Sequence, residues 1–199
     1  MDRLTFRRAI AARIGQVLTP AICAEIEVEA SAVADLSIPL EQFETVRVGD
    51  YVIQAERFAA VLPELRTLHE AHWLETEKHR QGLALEPDYD SMAADERMGR
   101  LLQFTVRHCG ALVGNLRMYV VQSRHTRNLV AVEDTLYIAP SHRGGLLGLK
   151  LVRYAEQCLV QIGVREIEAN SKLVNGADAL MRRMRYEPVA IQFHKIIKE

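Results

Sequence analysis

Residues 131–152, AVEDTLYIAPSHRGGLLGLKLV, are the stretch that decides how this chain folds. Two sets of side chains alternate along its first part, and their β-branched and aromatic content suits a pleated strand. Pro140 ends that strand, because proline has no amide hydrogen to donate to a ladder. An Arg-Gly-Gly turn at 143–145 then leads into an apolar helical run over 146–162. The stretch predicts a strand, a tight glycine-rich turn and a helix.

A glycine-rich turn between a strand and a helix can bind an anion. Unpaired backbone N–H groups and the positive end of the helix dipole point at one spot there, and glycines let a ligand approach the main chain. Two common nucleotide-binding motifs are absent: no Lys-Ser or Lys-Thr follows Gly148, and there is no GxGxxG. We predict a phosphate or pyrophosphate site, with glycines that only cap the helix as the alternative.

The stretch resembles the acyl-CoA loop of the GNAT superfamily of N-acetyltransferases. The family pattern is an Arg or Gln, two residues, Gly, one residue, then Gly or Ala, after a strand that ends in a Leu-Tyr-Val-x-Pro-like run. Residues 136–140, LYIAP, match that approach. Leu146 departs from the pattern, because it occupies the place of the usual middle glycine; a tight turn tolerates this if the local φ is negative. The residues that match the loop are Arg143, Gly144, Gly145 and Gly148.

The resemblance implies an α+β protein with the GNAT fold, in which helices flank a mixed central sheet. A short helical N-terminal extension, residues 1–49, would precede a GNAT-like acyltransferase domain at 50–199, which is closest to GNAT-like proteins of phages and prophages. The co-substrate would be acetyl-CoA, held at its pantetheine arm by the strand and at its pyrophosphate by the loop. Asn175 could also bind it, or could only cap a helix. The implied acetyl-CoA-binding residues are Leu136, Tyr137, Ile138, Arg143, Gly144, Gly145, Leu146, Leu147, Gly148 and Asn175.

Composition and charge limit the classes of protein and partner. Hydrophobic residues make up 49% of the chain and charged residues 26%, which is ordinary for a soluble protein with a core. The net charge of −1 gives no general attraction to nucleic acid or to an anionic membrane. No apolar run approaches the length of a membrane span. The three cysteines lack CxxC spacing, which argues against a disulfide framework or structural zinc and favours the cytoplasm.

The rest of the chain follows the order of elements in the family. Residues 1–49 carry no chemical motif, and we expect them to pack on the domain or on a second subunit of a homodimer. Thr19 and Pro20 are suited to start a helix there. The pattern predicts helices at 5–16 and 20–34, a strand at 51–55, helices at 58–80 and 88–100, a hairpin at 101–108 and 111–122, a strand at 166–170, a helix at 175–185 and a last strand at 188–197.

Glu133 and Asp134 are the candidates for the general base that the family chemistry requires. An amine must lose a proton, attack a thioester carbonyl and expel the CoA thiolate, and a base with a pKa near 7 serves the first step. The two carboxylates should point to opposite faces of the strand, so only one can face the acceptor, and we favour Glu133. Partial burial would raise the pKa of that carboxyl. The alternative is that one acid caps a neighbouring loop and the other is solvated.

The general acid is the place where the chain departs most from the family. Counting back from Tyr186, Met181 falls where a tyrosine usually stands, and a methionine has no proton to donate. Tyr186 or Ser171 could take that role, or the thiolate could leave without an acid. We take Tyr186 as the candidate.

Histidines on the predicted helix 58–80 raise the question of a metal site. His69 and His72 stand three residues apart and Glu75 follows, but one helix rarely supplies three ligands of a tetrahedral ion, so we expect no metal. We expect these side chains and Trp73 to line the acceptor groove or to pack beside it.

Two classes of function follow. The first is an acyl-CoA-dependent N-acyltransferase that acts on an amine, most simply with acetyl-CoA. The second is a GNAT-fold protein that binds acyl-CoA or another ligand without turnover, which the missing tyrosine favours.

Overall fold

The computed structural model describes residues 10–31, 36–77, 83–172 and 176–197. Its centre is a six-stranded sheet whose strands lie side by side in chain order. The strands are β1 Val46–Val48, β2 Tyr51–Glu56, β3 Leu101–His108, β4 Ala111–Gln122, β5 Leu129–Ile138 and β6 Val164–Glu168. The helices are α1 Pro20–Ser31, α2 Phe58–Thr76, α3 Tyr89–Arg97, α4 Leu147–Gln161 and α5 Ala177–Arg183, with 3₁₀ turns at Leu40–Gln42 and Pro140–His142.

The sheet changes character at β5. Strands β1 to β5 are antiparallel neighbours, whereas β5 and β6 are parallel and joined through α4. The β5–β6 pairing runs only from Leu129 to Val132 on β5. Strand β6 ends at Glu168, opposite Val132, and in the described part of the chain no strand pairs with the open edge of β5 from there to Ile138.

A β-bulge lies on β5 just beyond the end of the β5–β6 pairing. On β4, Arg117 pairs with Thr135 but Met118 pairs with Glu133, so Asp134 is an extra residue in the ladder. The bulge changes the face to which later side chains of β5 point. It therefore helps to set the geometry at the open end of the strand.

The two faces of the sheet are packed differently. The face covered by α4 holds the main apolar core, which includes Phe104, Met118, Leu151 and Leu159. The face covered by α2 has a smaller apolar cluster around Phe58, together with buried polar side chains on β3 and β4. Those polar side chains are Gln103, Thr105, Asn115 and Arg117.

Most of the predicted elements are confirmed. The hairpin at 101–108 and 111–122 has the predicted bounds, and the strand, turn and helix over 131–152 are present. At the start of α1 the Thr19 hydroxyl accepts the Ile22 N–H at 3.3 Å, as an N-cap does. The mixed sheet flanked by helices confirms the α+β class.

Two expectations about strands need correction. The predicted strand at 188–197 is wrong for this chain by itself, since these residues pair with no strand in the described structure. A period of two shows which residues suit a pleat, but a strand also needs a partner edge. The strand β1 was not predicted and lies within residues 1–49, where it pairs with β2. The N-terminal segment thus contributes a strand as well as helices.

Candidate active site

The turn between β5 and α4 has the backbone shape that its glycines predict. Gly144 and Gly145 have φ values of 136° and 57°, a region that disfavours any side chain. Nothing lies within 4 Å of where a Cβ would stand on either residue, so their surface is open. Leu146 has a φ of −114°, which explains why the chain accepts leucine at that position.

The N-terminus of α4 faces the same open surface. Leu146 occupies the N-cap position, and its side chain cannot accept a hydrogen bond from the first backbone N–H groups of the helix. The first helical bond runs from the Lys150 N–H to the Leu146 carbonyl at 2.9 Å. The amides before it and the helix dipole fit a phosphate or pyrophosphate group.

The open edge of β5 leads directly to this turn. From Glu133 to Ile138 it offers main-chain groups to an extended, amide-containing ligand, as a strand edge does. Leu136 lines a small cavity on the α4 face, and the Ile138 carbonyl accepts the Arg143 Nε–H at 2.7 Å. Gly148 lies close behind the strand, where an added Cβ would stand 3.8 Å from the Ile138 side chain.

Arg143 is held toward α2 in this structure. Its guanidinium forms a two-point ion pair with Glu75, at 2.6 and 2.9 Å, and lies 5.1 Å from the centre of the Tyr137 ring. Tyr137 is buried and also contacts His72, with 5.4 Å between ring centres. An anion at the turn would therefore approach an Arg143 that already has a carboxylate partner.

Glu133 is a buried carboxylate just beyond the end of the β5–β6 pairing. Only 7% of the residue is exposed, and one carboxylate oxygen accepts the Asn170 N–H at 3.0 Å from the loop after β6. Burial raises its pKa to about 7, although the Asn170 N–H acts in the opposite direction. The carboxylate both caps a loop and has a pKa suited to proton transfer near neutral pH.

Tyr186 and Glu156 lie beside Glu133 in an otherwise apolar cavity between α4 and the sheet. The Tyr186 hydroxyl and the Glu156 carboxyl share a hydrogen bond, and burial raises the pKa of both groups. Met181 lines the same cavity from α5. The predicted pair Glu133 and Tyr186 thus come together, and Glu156 joins them.

Asp134 belongs to a different network on the α2 face. Its carboxylate accepts from buried Arg117, with contacts of 2.6 and 2.8 Å, and Arg117 also donates to His69 Nε2 at 3.3 Å. Since an arginine only donates, His69 Nε2 is an acceptor, and Nδ1 carries the proton toward the Tyr89 hydroxyl at 3.2 Å. Burial lowers the pKa of His69 to about 4, so the ring is neutral at pH 7.

The two acids of β5 therefore face opposite sides of the sheet, as predicted. Glu133 faces α4 and α5, whereas Asp134 pairs with a side chain that reaches toward α2. Asp134 is held by the guanidinium of Arg117. Of the two carboxyls, Glu133 is the one whose pKa is raised by burial, and it stays the candidate base.

Comparison with known proteins gives the family of the chain. Residues 62–184 match the sequence pattern of the acetyltransferase (GNAT) family. The chain belongs to this family. Among curated protein sequences, none matches the chain.

Solved GNAT acetyltransferases share the fold at low sequence identity. An aminoglycoside acetyltransferase from an uncultured soil metagenomic sample, in complex with sisomicin, has a TM-score of 0.59 at 17% identity over 75% of this chain and 97% of its own. A ribosomal-protein-alanine N-acetyltransferase from Brucella melitensis biovar Abortus 2308 gives 0.56 at 16% identity, over 75% and 99%. The aminoglycoside acetyltransferase AAC(6')-Iy, bound to a bisubstrate analogue built on CoA, gives 0.57 at 15% identity, over 74% and 99%.

Asn175 and the polar side chains of α2 are the remaining residues that the sequence singled out. Asn175 lies outside the described residues. His69, His72 and Glu75 do not converge, since they contact Arg117, Tyr137 and Arg143 respectively, and among the described residues no three potential metal-ligating side chains come together. Of the described helices, none combines the length and apolarity required to cross a bilayer.

Three residues of the site were missed by sequence reasoning. Arg117 and Asn170 are brought to the acids by tertiary structure, which no local pattern reveals. Glu156 did leave a signal: it stands four residues after Val152 and three before Leu159, on the apolar stripe of α4. An acid on such a stripe indicates a buried polar partner.

Proposed function

We propose that this protein is an acyl-CoA-dependent N-acyltransferase that uses acetyl-CoA and transfers the acyl group directly to an amine in a ternary complex. One observation carries the proposal: a buried carboxylate, Glu133, stands just beyond the end of the β5–β6 pairing, and the open strand edge after it leads to a glycine turn at a helix N-terminus. Base, extended-ligand edge and anion site lie along one strand in the order that acyl transfer needs.

The chain's groups fit acetyl-CoA as a substrate. The amides of residues 144–148 and the dipole of α4 would bind its pyrophosphate, and the main chain of Leu136, Tyr137 and Ile138 would hold the pantetheine arm. Holding both reactants in one groove can supply roughly 7–11 kcal/mol of the barrier reduction in well-oriented cases.

Glu133 would act as the base, directly or through a water. The amine nitrogen forms a bond to the thioester carbonyl carbon, the carbon–sulfur bond breaks, and the electron pair leaves with sulfur. The ammonium proton passes to Glu133, whose pKa of about 7 lets it accept that proton near neutral pH. Asp134 would stay paired with Arg117 throughout.

Tyr186 is the group we propose to protonate the leaving thiolate. Its hydroxyl lies in the cavity that holds Glu133 and keeps its proton at neutral pH, because burial raises its pKa. A thiolate can also leave unprotonated, so Tyr186 would contribute less than Glu133 does.

The acceptor is an amine, and the similar structures suggest which amines to try first. Their names describe acetylation of aminoglycosides and of a ribosomal-protein alanine. We propose a primary amine of either kind as acceptor, with sisomicin and an alanine-starting peptide as first probes.

The test is release of free CoA thiol from acetyl-CoA when each amine is supplied. The wild-type protein should release thiol with at least one amine, and Glu133→Gln should lower kcat by about 10²–10⁴-fold with unchanged acetyl-CoA affinity. Glu166→Gln, at an exposed carboxylate on the neighbouring strand, is the matched control and should keep full activity. Full activity in Glu133→Gln would remove Glu133 from the mechanism.

One observation favours a second function. Met181 stands in the place of the usual tyrosine and is buried in the cavity beside Glu133. A GNAT-fold protein that binds acyl-CoA without turnover would need no acid there. Binding of acetyl-CoA with no thiol release for any amine would favour this second function.

A further inference from the structure

The guanidinium of Arg143 lies in a site that is built for a cation. Glu75 of α2 accepts two hydrogen bonds from it, at 2.6 and 2.9 Å, and the Ile138 carbonyl accepts its Nε–H at 2.7 Å. The guanidinium carbon also lies over the Tyr137 ring, 5.1 Å from the ring centre. A carboxylate, a carbonyl oxygen and an aromatic face are groups that bind organic cations. Arg143 therefore fills a site that suits other cations as well.

The ion pair between Arg143 and Glu75 is open to exchange. The Arg143 side chain is 40% exposed and that of Glu75 is 29% exposed, so solutes reach both groups. Ion pairs in contact with water contribute little to stability, and their partners are easily replaced. A guanidinium binds a phosphate with the same two-point geometry as a carboxylate. A phosphate group held by the turn at 143–148 therefore competes with Glu75 for Arg143.

A second ion pair anchors the end of α2 without Arg143. Glu77 pairs with Lys172, from the loop after β6, at 2.7 Å, and the Glu77 side chain is only 10% exposed. Thr76, between the two acids, is buried, and its hydroxyl donates to the His72 carbonyl at 2.9 Å. When Arg143 leaves, the end of the helix stays in place, and Glu75 keeps its position beside Tyr137.

We propose that, when acyl-CoA binds, Glu75 exchanges Arg143 for a positively charged group of the acceptor; this inference rests on the proposed function. Arg143 turns to the phosphates of acyl-CoA. Glu75, the Tyr137 ring and the Ile138 carbonyl then receive an ammonium group in the place of the guanidinium. Binding of acyl-CoA thereby completes the acceptor site.

The position of this cation site defines the class of acceptor. Tyr137 follows Glu133 by four residues on β5, which corresponds to on the order of 10 Å along a strand. The ammonium group beside Tyr137 is therefore a different one from the amine that reacts near Glu133. The acceptor is an amine with a second positive charge on the order of 10 Å from the first, as in a polyamine or an aminoglycoside, rather than a monoamine.

Calorimetric titration of matched variants with CoA tests the exchange of Arg143. Glu75→Gln removes the group that competes for Arg143, so the Kd for CoA should fall about five-fold. Glu70→Gln, at an exposed acid of the same helix, should leave this Kd unchanged. In an Arg143→Gln background, Glu75→Gln should have no effect, because the exchanged cation is absent. A role of Glu75 in stability alone would not depend on Arg143 in this way.

A second titration tests the cation site with two probes of equal chain length. Diaminooctane carries an ammonium group at each end of its chain, whereas octylamine carries one. Diaminooctane should bind the CoA-loaded wild type about ten-fold more tightly than the free protein, because Glu75 is then released. Octylamine should show no such gain, and Glu75→Gln should abolish the gain for diaminooctane.

Two results would overturn the exchange and leave the proposed function in place. One is an equal Kd for CoA in wild type and Glu75→Gln, with circular dichroism showing both folded. The other is a gain for diaminooctane that persists in Glu75→Gln. Failure of CoA to bind the folded wild type would instead overturn both the exchange and the proposed function.

Discussion

The two faces of the sheet give two neighbouring acids different environments. On the α4 face, Glu133 is surrounded mainly by apolar side chains, and burial raises its pKa to about 7. On the α2 face, Asp134 is paired with buried Arg117, which continues to His69 and Tyr89. Two consecutive residues thus carry a carboxyl with a raised pKa and a carboxylate fixed in an ion pair.

The difference shows what makes a carboxylate reactive in this fold. A buried carboxyl without a cation gains no compensation for lost hydration, so it holds a proton more readily. A carboxyl beside a guanidinium has that compensation and serves structure. Both environments occur at adjacent positions of one strand because successive side chains of a strand point to opposite faces.

Removing the cation of the α2 face should produce the largest loss of stability. Arg117→Met would break the ion pair with Asp134 and the bonds to His69 and Thr135, at a cost of about 1.5–3 kcal/mol in the free energy of unfolding, because Asp134 itself stays accessible to water. Urea unfolding measures it. Arg100→Met, which breaks the exposed pair with Asp95, should cost at most about 1 kcal/mol. Equal costs would mean that the α2 network is no stronger than a surface pair.

Neutralising Glu133, the acid of the α4 face, should instead raise the free energy of unfolding. The native pKa of Glu133 is about 7 against an ordinary 4.5, so between these pH values the native protein holds a proton that the unfolded chain has released. The free energy of unfolding must therefore fall as pH rises through this window. Glu133→Gln removes that dependence. The stability of the variant relative to wild type should therefore rise by roughly 3 kcal/mol between pH 4 and pH 8.

Urea unfolding of wild type and Glu133→Gln at both pH values checks this expectation. Glu166→Gln, on the exposed side of β6, should show no such pH-dependent gain. A Glu133→Gln variant that is less stable than wild type at pH 8 would show that the carboxylate is stabilised in place, as Asp134 is.

The sequence predicts the strand and the opposite faces of its two acids, but it does not predict the partners of those acids. Alternation along 129–138 predicts that the two acids lie on opposite faces, and the glycine turn predicts the start of α4. Nothing local identified Arg117 as the partner of Asp134 or Glu75 as that of Arg143, because both pairs form between elements far apart in the chain. The neighbours, which determine each pKa, come from the tertiary fold.

Strand β1 and residues 188–197 also show that a sequence pattern alone does not decide whether a strand forms. The short strand β1 has too few residues to show a period, and it forms because β2 offers an edge. Residues 188–197 show the period clearly yet pair with no strand in the single chain. A pattern predicts what a segment can do, and the available edge decides whether it does so.

Lowering the pH should reduce the free energy of unfolding through His69 on the α2 face. Its native pKa is about 4 against an ordinary 6.5, so the unfolded chain binds a proton in this window and the native protein does not. The free energy of unfolding should thus fall by roughly 2–3 kcal/mol as pH drops from 6.5 to 4. His69→Leu should flatten that slope, while His125→Leu in an exposed turn should leave it unchanged. Identical slopes in wild type and His69→Leu would place the acid sensitivity elsewhere.

The smallest expected effect concerns the hydroxyl that faces Glu133. Tyr186→Phe keeps the ring in the cavity but removes the bond to Glu156, at a cost of about 1 kcal/mol in unfolding free energy. If Tyr186 protonates the thiolate, kcat should fall while the KM for acetyl-CoA is unchanged, and steady-state thiol release measures both. An unchanged kcat would mean that the thiolate leaves without this acid.

Calorimetric titration with acetyl-CoA is the most direct test of the central claim, that the open edge of β5 and the turn before α4 form an acyl-CoA site. We expect binding at about micromolar Kd to the wild-type protein. Gly145→Val should abolish it, because a β-branched residue at a φ of 57° distorts the turn. ATP and NAD should give no heat of binding. No binding of acetyl-CoA to the folded wild-type protein, or equal binding to Gly145→Val, would contradict the account.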